Sequence, residues 1–435
     1  MNPQHHIQVY NLLLRTVVAC IIVGSGLFYS LSSSANTKYY QVHKKNLLQG
    51  SPMSWKNALQ LMHENLPKLL LARKRLQGNK RSTRYAGAFP NPSIAYRREQ
   101  LFPQQGQDEV GIQLTIPLGG STWRQKDVAS AKVQVQSWSV KLLHLRHKFR
   151  FLRDYFNLLH QVMKLRILVR SYHQFQQLQG VVKVRVQEGK LPGVYLLRLG
   201  LEMQQRQSQI DRLRAIIERK GRQLGFQVGQ KHQPIIPTGP LVPGFSQLPV
   251  VTRDLLTQLP PLQHAKAQSK LAKEQQRLAF AKAWPNLQLD LGYLHANNTS
   301  QSQPDGHGFY LGISVPLPIF QRNQYNTKRT TQTLHVARYK VRLLLRQYRN
   351  QIMLRKRQLK GSRTRWQSYK RNVSGRIKNL LRSAQAAFIG GTSVQAYLDM
   401  QLTAERLQLF ELSLQNDIRM SSLQLHKLMG RIPHQ

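Results

Sequence analysis

Two stretches of the chain, residues 122–188 and 326–389, keep the apolar spacing of an α-helix over an unusual length. At a rise of about 1.5 Å per residue, each predicted helix would extend roughly 100 Å. A helix of that length rarely belongs to one compact domain, and a sustained apolar seam favours packing against other helices as in a coiled coil. The two stretches therefore predict an elongated, mainly helical protein.

Each long helical stretch follows a segment that alternates apolar and polar residues and then meets proline. The first such segment is VGIQLTIPLGG and the second is YLGISVPLP. Strict alternation indicates a strand with one apolar and one polar face. Because proline ends the hydrogen bonding of a strand, we expect strand-to-helix turns at Pro117, Pro316 and Pro318.

The landmarks of the first half recur in the same order in the second half, displaced by about 200 residues. They include the strand-ending prolines and the glycines of a helix reversal, Gly189 in the first half and Gly390 with Gly391 in the second. Each half therefore predicts a first helix (54–85 and 251–282), two strands, a long helix and a shorter return helix. The segments LFPQQGQDE and HANNTSQSQPDGHG are predicted to be polar loops that join the strands of each pair.

The N-terminus has a short basic region, an apolar stretch and small residues that resemble a cleavage site after Ala35. This pattern predicts a secretory signal peptide, with an uncleaved anchor as the alternative. The single cysteine, Cys20, lies in that apolar stretch, so no disulfide can form within the chain. We expect a signal peptide, a first repeat, a proline-rich extended connector, a second repeat and a tail, at 1–35, 36–225, 226–251, 252–430 and 431–435.

The chain carries 65 Lys and Arg against 18 Asp and Glu, a formal charge of +47. Such an excess first suggests nucleic acid or an anionic membrane surface as a partner. The basic residues are scattered through nearly every segment, however, and no zinc-finger, RNP or basic-zipper pattern is present. We therefore interpret most of them as solvated helix faces and expect no nucleic-acid partner.

The sequence carries no motif for catalysis or for a cofactor. It lacks the GxxxxGK phosphate loop, the HExxH zinc motif and the GxSxG nucleophile motif. His295 and His307 flank a predicted loop, and the pattern favours solvated loop residues over metal ligands. We therefore expect neither an enzyme nor a resident cofactor or metal.

Short segments around the strands and reversals resemble the TolC-like outer-membrane efflux proteins (outer membrane factors). PNPSIAY and WPNLQLDLGY lead into the strands, TIPLGG and VPLPIFQRNQ leave them, and EGKLPGVYLL and GGTSVQAYLD form the reversals. The form PLPIFQRNQ is most similar to the heavy-metal efflux branch. The resemblance covers the whole chain after the signal peptide.

This resemblance implies a homotrimer in which each chain supplies four strands to one twelve-stranded transmembrane β-barrel in the outer membrane. The duplicated long helical hairpins would form an α-barrel across the periplasm. The implied function is a passive conduit of a tripartite efflux system, which works with a periplasmic adaptor and an inner-membrane pump to export metal ions or drugs. A conduit for type I protein secretion and a secreted, basic coiled-coil interaction protein remain alternatives.

The resemblance also implies which environment each face of the strands meets. The apolar set should face lipid and the polar set should face the lumen. The first set is Val110, Ile112, Leu114, Ile116, Leu311, Ile313 and Val315, and the second is Gln113, Thr115 and Ser314.

In the resembled family the helix reversals form the closed periplasmic end, where acidic residues help to gate the tunnel and the adaptor binds. The resemblance implies this role for Asp399 and for Glu188, with Gly189, Gly390 and Gly391 at the turns. The family pattern has two acids after the second reversal, three residues apart, and this sequence has Ala396 at the first position. The repeat alignment places Arg198 opposite Asp399, which would allow an ion pair between helix pairs. The alternative is that Asp399 is an ordinary solvated residue near a helix start.

Overall fold

The computed structural model describes residues 48–102, 105–230, 233–242, 252–298, 305–389 and 393–430. The chain is mainly helical, with 72% of it in helices. Several predicted features lie outside the described residues: the signal peptide, the cleavage site at Ala35, the tail, and the reversal glycines Gly390 and Gly391.

The two halves of the chain have the same order of helices and strand pairs. The first half contains β1 (Ser51–Ser54), α1 (Trp55–Asn65), α2 (Pro67–Ser82), β2 (Ser93–Phe102), β3 (Gln105–Pro117), α3 (Ser121–Gln187) and α4 (Val194–Gln227). The second half contains β4 (Ile235–Thr238), α5 (Arg253–Gln258), α6 (Pro260–Ala281), β5 (Asn286–Asn298), β6 (Gly306–Ser314), α7 (Gln324–Tyr369), α8 (Gly375–Ile389) and α9 (Val394–Met429).

The long helices lie where the apolar spacing predicts them. Helix α3 runs without a break for 67 residues. The second long helix contains a local irregularity that was not predicted, a π-helical segment, Lys370–Ser374, between α7 and α8. Asn372, Val373, Ser374 and Gly375 are weak helix formers at this point. A π turn adds a residue locally without ending the helix.

The first helix of each half is broken in two, which corrects the prediction. Leu66 and Leu259 have extended backbones, with ψ of 102° and 130°, and each is followed by a proline that starts the next helix. Proline disfavours the helical conformation in the residue before it, and it suits the first helical position because its missing N–H is not needed there.

The strands β2, β3, β5 and β6 form one antiparallel sheet in that order. They are longer than predicted and include much of the two segments predicted as loops. Gln105–Glu109 belong to β3, His295–Asn298 to β5, and Gly306–Gly308 to β6. The alternation of apolar residues ends before these segments, but the hydrogen-bonded pairing of the strands continues through them.

A two-stranded parallel sheet, β1 with β4, was not predicted. The Tyr155 side chain of α3 joins the two strands of this sheet. Its hydroxyl accepts a hydrogen bond from the Thr238 amide at 3.0 Å and lies 2.7 Å from the Met53 carbonyl oxygen, to which it donates. A strand of four residues is too short to show the alternation that identifies strands in a sequence. Because β1 and β4 also lie more than 180 residues apart in the chain, their pairing could not be predicted.

The described residues form two compact units by their contacts. The first draws on the described residues within 48–64, 154–240 and 374–412, and it contains the reversal after α3. The second draws on the described residues within 65–153, 241–373 and 413–430, and it contains the four-stranded sheet. Each unit takes segments from both halves of the chain.

Candidate functional site

The first helix reversal is built around Gly189. Its φ of +70° lies in the left-handed region, which glycine adopts without strain. Its amide bonds the Val186 carbonyl at 3.0 Å, and the Lys190 amide bonds the Arg185 carbonyl at 2.9 Å, so the last carbonyl groups of α3 are satisfied. Glu188 forms an ion pair with Lys190 at 2.9 Å. Glu188 and Gly189 thus lie at the turn between α3 and α4.

Four helices pack together beside this reversal. Helix α9 starts after Ser393, whose hydroxyl accepts a hydrogen bond from the Ala396 amide at 3.2 Å and caps the helix. The buried apolar cluster draws residues from α3, α4, α8 and α9: Phe175, Leu178, Val182, Leu199, Phe388, Val394 and Leu398. Burial of these side chains holds the helix ends together.

Arg198 and Asp399 form an ion pair in the structure. The guanidinium of Arg198 on α4 donates a hydrogen bond to the Asp399 carboxylate on α9 at 3.0 Å. The two side chains are 39% and 53% exposed. Water and salt therefore screen the pair, which stabilises the contact between the helices by at most about 1 kcal/mol.

A second, buried charge cluster joins three helices two turns further along α4. Arg206 has only 5% of its side chain exposed, and its guanidinium lies 3.0 Å from Glu405 on α9 and 2.8 Å from Glu202 on α4. The same guanidinium stacks 4.1 Å from the centre of the Phe175 ring, and the Ser171 hydroxyl of α3 bonds Glu405. Sequence reasoning missed Arg206. The sequence feature that could have identified Arg206 is its position on the apolar face of α4. That face is marked by Leu199, Ile210, Leu213 and Ile217.

The acids near the reversals are compensated. Glu188 pairs with Lys190, Asp399 pairs with Arg198, and Glu202 and Glu405 share Arg206. Four carboxylates therefore face three cations, which leaves one formal negative charge (3 − 4 = −1) in this set. The pattern is one of paired charges rather than a free acidic surface.

One face of the four-stranded sheet is apolar and exposed. Cross-strand neighbours form rows on this face: Ile94, Ile112, Leu291 and Leu311 are 81%, 51%, 52% and 66% exposed. The next row is aromatic or branched, with Tyr96, Val110, Tyr293 and Phe309, and the row after that is polar, with Arg98, Asp108, His295 and His307. From Ile116 to Val110 the apolar band measures roughly 20 Å along the strand.

The apolar residues predicted for this face share it. Val110, Ile112, Leu114, Ile116, Leu311, Ile313 and Val315 are all exposed, with Val315 just beyond the end of β6. Gln113, Thr115 and Ser314 alternate with them along the strands. The structure thus separates the two predicted sets.

Glycines on the opposite face leave room for one aromatic ring. Gly111, Gly292 and Tyr310 are cross-strand neighbours. A Cβ atom at Gly292 would lie 2.4 Å from Cε1 of Tyr310, and a Cβ atom at Gly111 would lie 2.3 Å from its hydroxyl oxygen. The Tyr310 ring therefore lies flat along the sheet only because both positions are glycine.

The three predicted prolines lie at the strand-to-helix junctions. Pro117 is the last residue of β3, and α3 begins four residues later at Ser121. Pro316 and Pro318 lie between the end of β6 and the start of α7. The second junction is completed by Asn323, which has a left-handed backbone (φ 54°) and donates a hydrogen bond to the Ala279 carbonyl at 2.8 Å.

Across the described ranges, no helix combines the length and the apolar character needed to cross a bilayer. In the same part of the chain, His, Cys, Asp and Glu side chains do not gather in groups of three or more that could hold a metal ion.

No protein-family model matches this sequence, and no curated protein matches it either. Solved structures do match. CusC, described for its folding and transmembrane channel formation, is 14% identical with a TM-score of 0.71, over 88% of this chain and 94% of that one. The outer-membrane protein VceC of Vibrio cholerae is 14% identical with a TM-score of 0.67, over 87% and 96% of the two chains. The open-state MtrE outer-membrane channel of Neisseria gonorrhoeae is 14% identical with a TM-score of 0.68, over 87% and 89%.

The chain has the fold of these outer-membrane channels. The match extends over nearly the whole of each compared structure. The resemblance noted from short segments of the sequence is therefore confirmed at the level of the fold.

Proposed function

We propose that this protein is the outer-membrane channel of a tripartite efflux system, a passive conduit for small substrates such as metal ions or drugs. The observation that carries the proposal is the exposed apolar face of the four-stranded sheet. A contiguous apolar surface on a sheet is costly in water, and it is bordered here by a row with three aromatic residues and then by a polar row. That order matches the outer surface of a transmembrane barrel.

The sheet supports a homotrimer. Among the described strands, β2 and β6 each pair on one side only. Lipid does not tolerate open strand edges, and four strands are too few to close a barrel. Three copies would close a twelve-stranded barrel in the outer membrane, with β6 of each chain next to β2 of its neighbour.

The helices support the same assembly. Helix α7 exposes a set of large apolar side chains along its length. They are Tyr325, Val336, Tyr339, Leu343 and Leu354, which are 73%, 57%, 62%, 40% and 54% exposed. Packing against a neighbouring chain would bury this set. We propose that the duplicated helical hairpins of three chains form an α-barrel across the periplasm.

The helix reversals are the proposed periplasmic gate and the contact with the adaptor, which links the channel to an inner-membrane pump. Arg198 and Asp399 would hold α4 to α9 there, beside Glu188 and Gly189. Gly390 and Gly391 are assigned to the same end from their place in the repeat. Residues 1–35 would direct export and would be removed.

The proposal is tested by expressing the full chain in a Gram-negative host, fractionating the membranes and extracting the protein in mild detergent. The expected result is outer-membrane location, a trimer band on unboiled denaturing gels that is converted to the monomer band by boiling, and a trimer mass by native mass spectrometry. Leu291→Lys combined with Leu311→Lys, which charges the apolar face, should abolish insertion, while Lys266→Gln on α6 should not. A soluble, monomeric mature chain would contradict the proposal and would favour a secreted coiled-coil protein.

A further inference from the structure

Two histidines face each other at the end of the sheet far from the strand-to-helix junctions. His295 on β5 and His307 on β6 are direct cross-strand partners. Their Nδ1 atoms lie 3.2 Å apart, and their rings stack with centroids 4.8 Å apart. The Tyr293 hydroxyl forms a hydrogen bond with Nδ1 of His307. The sequence pattern favoured solvated loop residues, but pairing of the strands brings these three side chains together.

The separation of the two nitrogen atoms suits a shared ligand. Imidazole nitrogens bind zinc at about 2.0–2.1 Å, so two nitrogens on one ion lie roughly 2.9–3.4 Å apart for angles between square and tetrahedral. The observed distance falls in this interval. The rings are nearly parallel, at 17°, so both side chains must turn to aim their lone pairs at one ion while the two nitrogen atoms stay at about this separation. His307 is exposed and His295 is half-buried, which leaves room for that rotation.

The neighbouring charges suit a cation. Asp108 on β3 is the register partner of His295, on the side away from His307. Its carboxylate is held by the Tyr96 hydroxyl at 2.7 Å and by the Asn297 amide at 3.2 Å. Arg98 lies 3.8 Å from the same carboxylate, so the negative charge is partly compensated. Asp108 is thus placed to favour a cation nearby without being one of its ligands.

We propose that His295 and His307 form a binding site for a divalent transition-metal ion, with the Tyr293 hydroxyl beside it. Imidazole ligands favour Cu²⁺, Ni²⁺ and Zn²⁺ over Mg²⁺ and Ca²⁺, and Cu²⁺ should bind most tightly. Two protein nitrogens leave the remaining coordination positions to water, whereas structural zinc sites use four protein ligands and catalytic sites use three. The site is therefore an exchangeable one. It depends only on the pairing of β5 with β6 and does not rest on the proposed channel function.

The test is titration of the detergent-solubilised full-length protein with NiCl₂, ZnCl₂ and CuCl₂ by calorimetry at neutral pH. His295→Ala and His307→Ala should each weaken this site at least tenfold and lower the stoichiometry by one ion per chain. The matched control, His335→Ala on the exposed side of α7, should leave the site unchanged, and CaCl₂ should show no binding at it. Circular dichroism shows whether each variant keeps its helix content.

The electron paramagnetic resonance spectrum of bound Cu²⁺ supplies a second readout. The wild-type protein should show coupling to two imidazole nitrogens in one site, and either histidine variant should lose it. Unchanged binding in both variants would overturn the proposal. Loss in only one of them would also overturn it, because a chelate needs both rings.

Discussion

The guanidinium of Arg206 lies 3.0 Å from the carboxylate of Glu405, and this contact joins α4 to α9 inside the protein. Arg198 and Asp399 join the same two helices two turns away, but in contact with water. The two pairs have the same chemistry and differ in burial, and this difference decides what each can do. The buried pair is suited to hold the helices in one arrangement, whereas the exposed pair is suited to open.

We expect Arg206→Ala to lower the free energy of unfolding by about 3–5 kcal/mol, because Glu202 and Glu405 would stay partly buried without a cation. Arg198→Ala, at the exposed pair, should cost at most about 1 kcal/mol. Chemical denaturation followed by circular dichroism measures both. Equal losses in the two variants would show that burial does not distinguish the pairs.

We expect Asp399→Asn to raise the resting conductance in planar bilayers and to weaken block by cations, because the contact with Arg198 at the proposed gate is lost. Asp211→Asn is the matched control, since Asp211 contacts Gln207 and Arg214 of its own helix. If Asp399→Asn behaved like the control, Asp399 would be an ordinary solvated residue near a helix start.

We expect Ile313→Arg to destabilise the inserted protein by about 2–4 kcal/mol if this residue faces the middle of the bilayer. Ser314→Arg, on the adjacent residue, should cost much less. Single cysteines at the two positions provide the readout: a lipid-soluble reagent should label position 313, and a water-soluble maleimide should label position 314. The opposite labelling pattern would reverse the assignment of the two faces.

We expect the stability of the protein to fall between pH 10 and about 12 through Tyr155. Burial raises the pKa of Tyr155 to about 12. Below the ordinary tyrosine pKa of about 10 both states are protonated, and above it only the unfolded state loses its proton, which favours unfolding.

Tyr155→Phe should remove this dependence on pH and should cost about 1–3 kcal/mol, because the hydroxyl no longer satisfies its partners on β1 and β4. Tyr85→Phe, at an exposed position after α2, is the control and should change neither quantity. Denaturation midpoints measured from pH 7 to pH 12 test both statements. A Tyr155→Phe curve parallel to that of the wild type would refute the assignment.

We expect Gly292→Val to reduce single-channel conductance, because its side chain would push the Tyr310 ring off the sheet and into the proposed lumen. Adding Tyr310→Ala should restore the conductance. Gly308→Val is the control, since a Cβ atom there has no neighbour within 4 Å. A loss of conductance that persists in the double variant would exclude displacement of Tyr310 as its cause.

The helices and the sheet faces could be predicted because their signals are local. Helix α3 repeats its apolar spacing over 67 residues, and β3 alternates residue by residue, so neighbouring positions are enough to identify each. The helix breaks before Pro67 and Pro260 also have a local signal, because each proline disfavours the helical conformation in the residue before it. Predictions failed chiefly where pairing continued beyond the periodic signal, as at His295 and His307.

The long helices, the alternation of apolar and polar residues along β3 and β6 and the prolines that end these strands were therefore readable from the sequence alone, whereas the short strands β1 and β4 were not. The tertiary structure alone decided which polar groups meet: Arg206 with Glu405, His295 with His307, and Tyr155 with Met53 and Thr238. Most of these partners are separated by about 80 to 200 residues of chain. Periodicity describes the side to which a residue points, but only packing and strand register determine what lies opposite it.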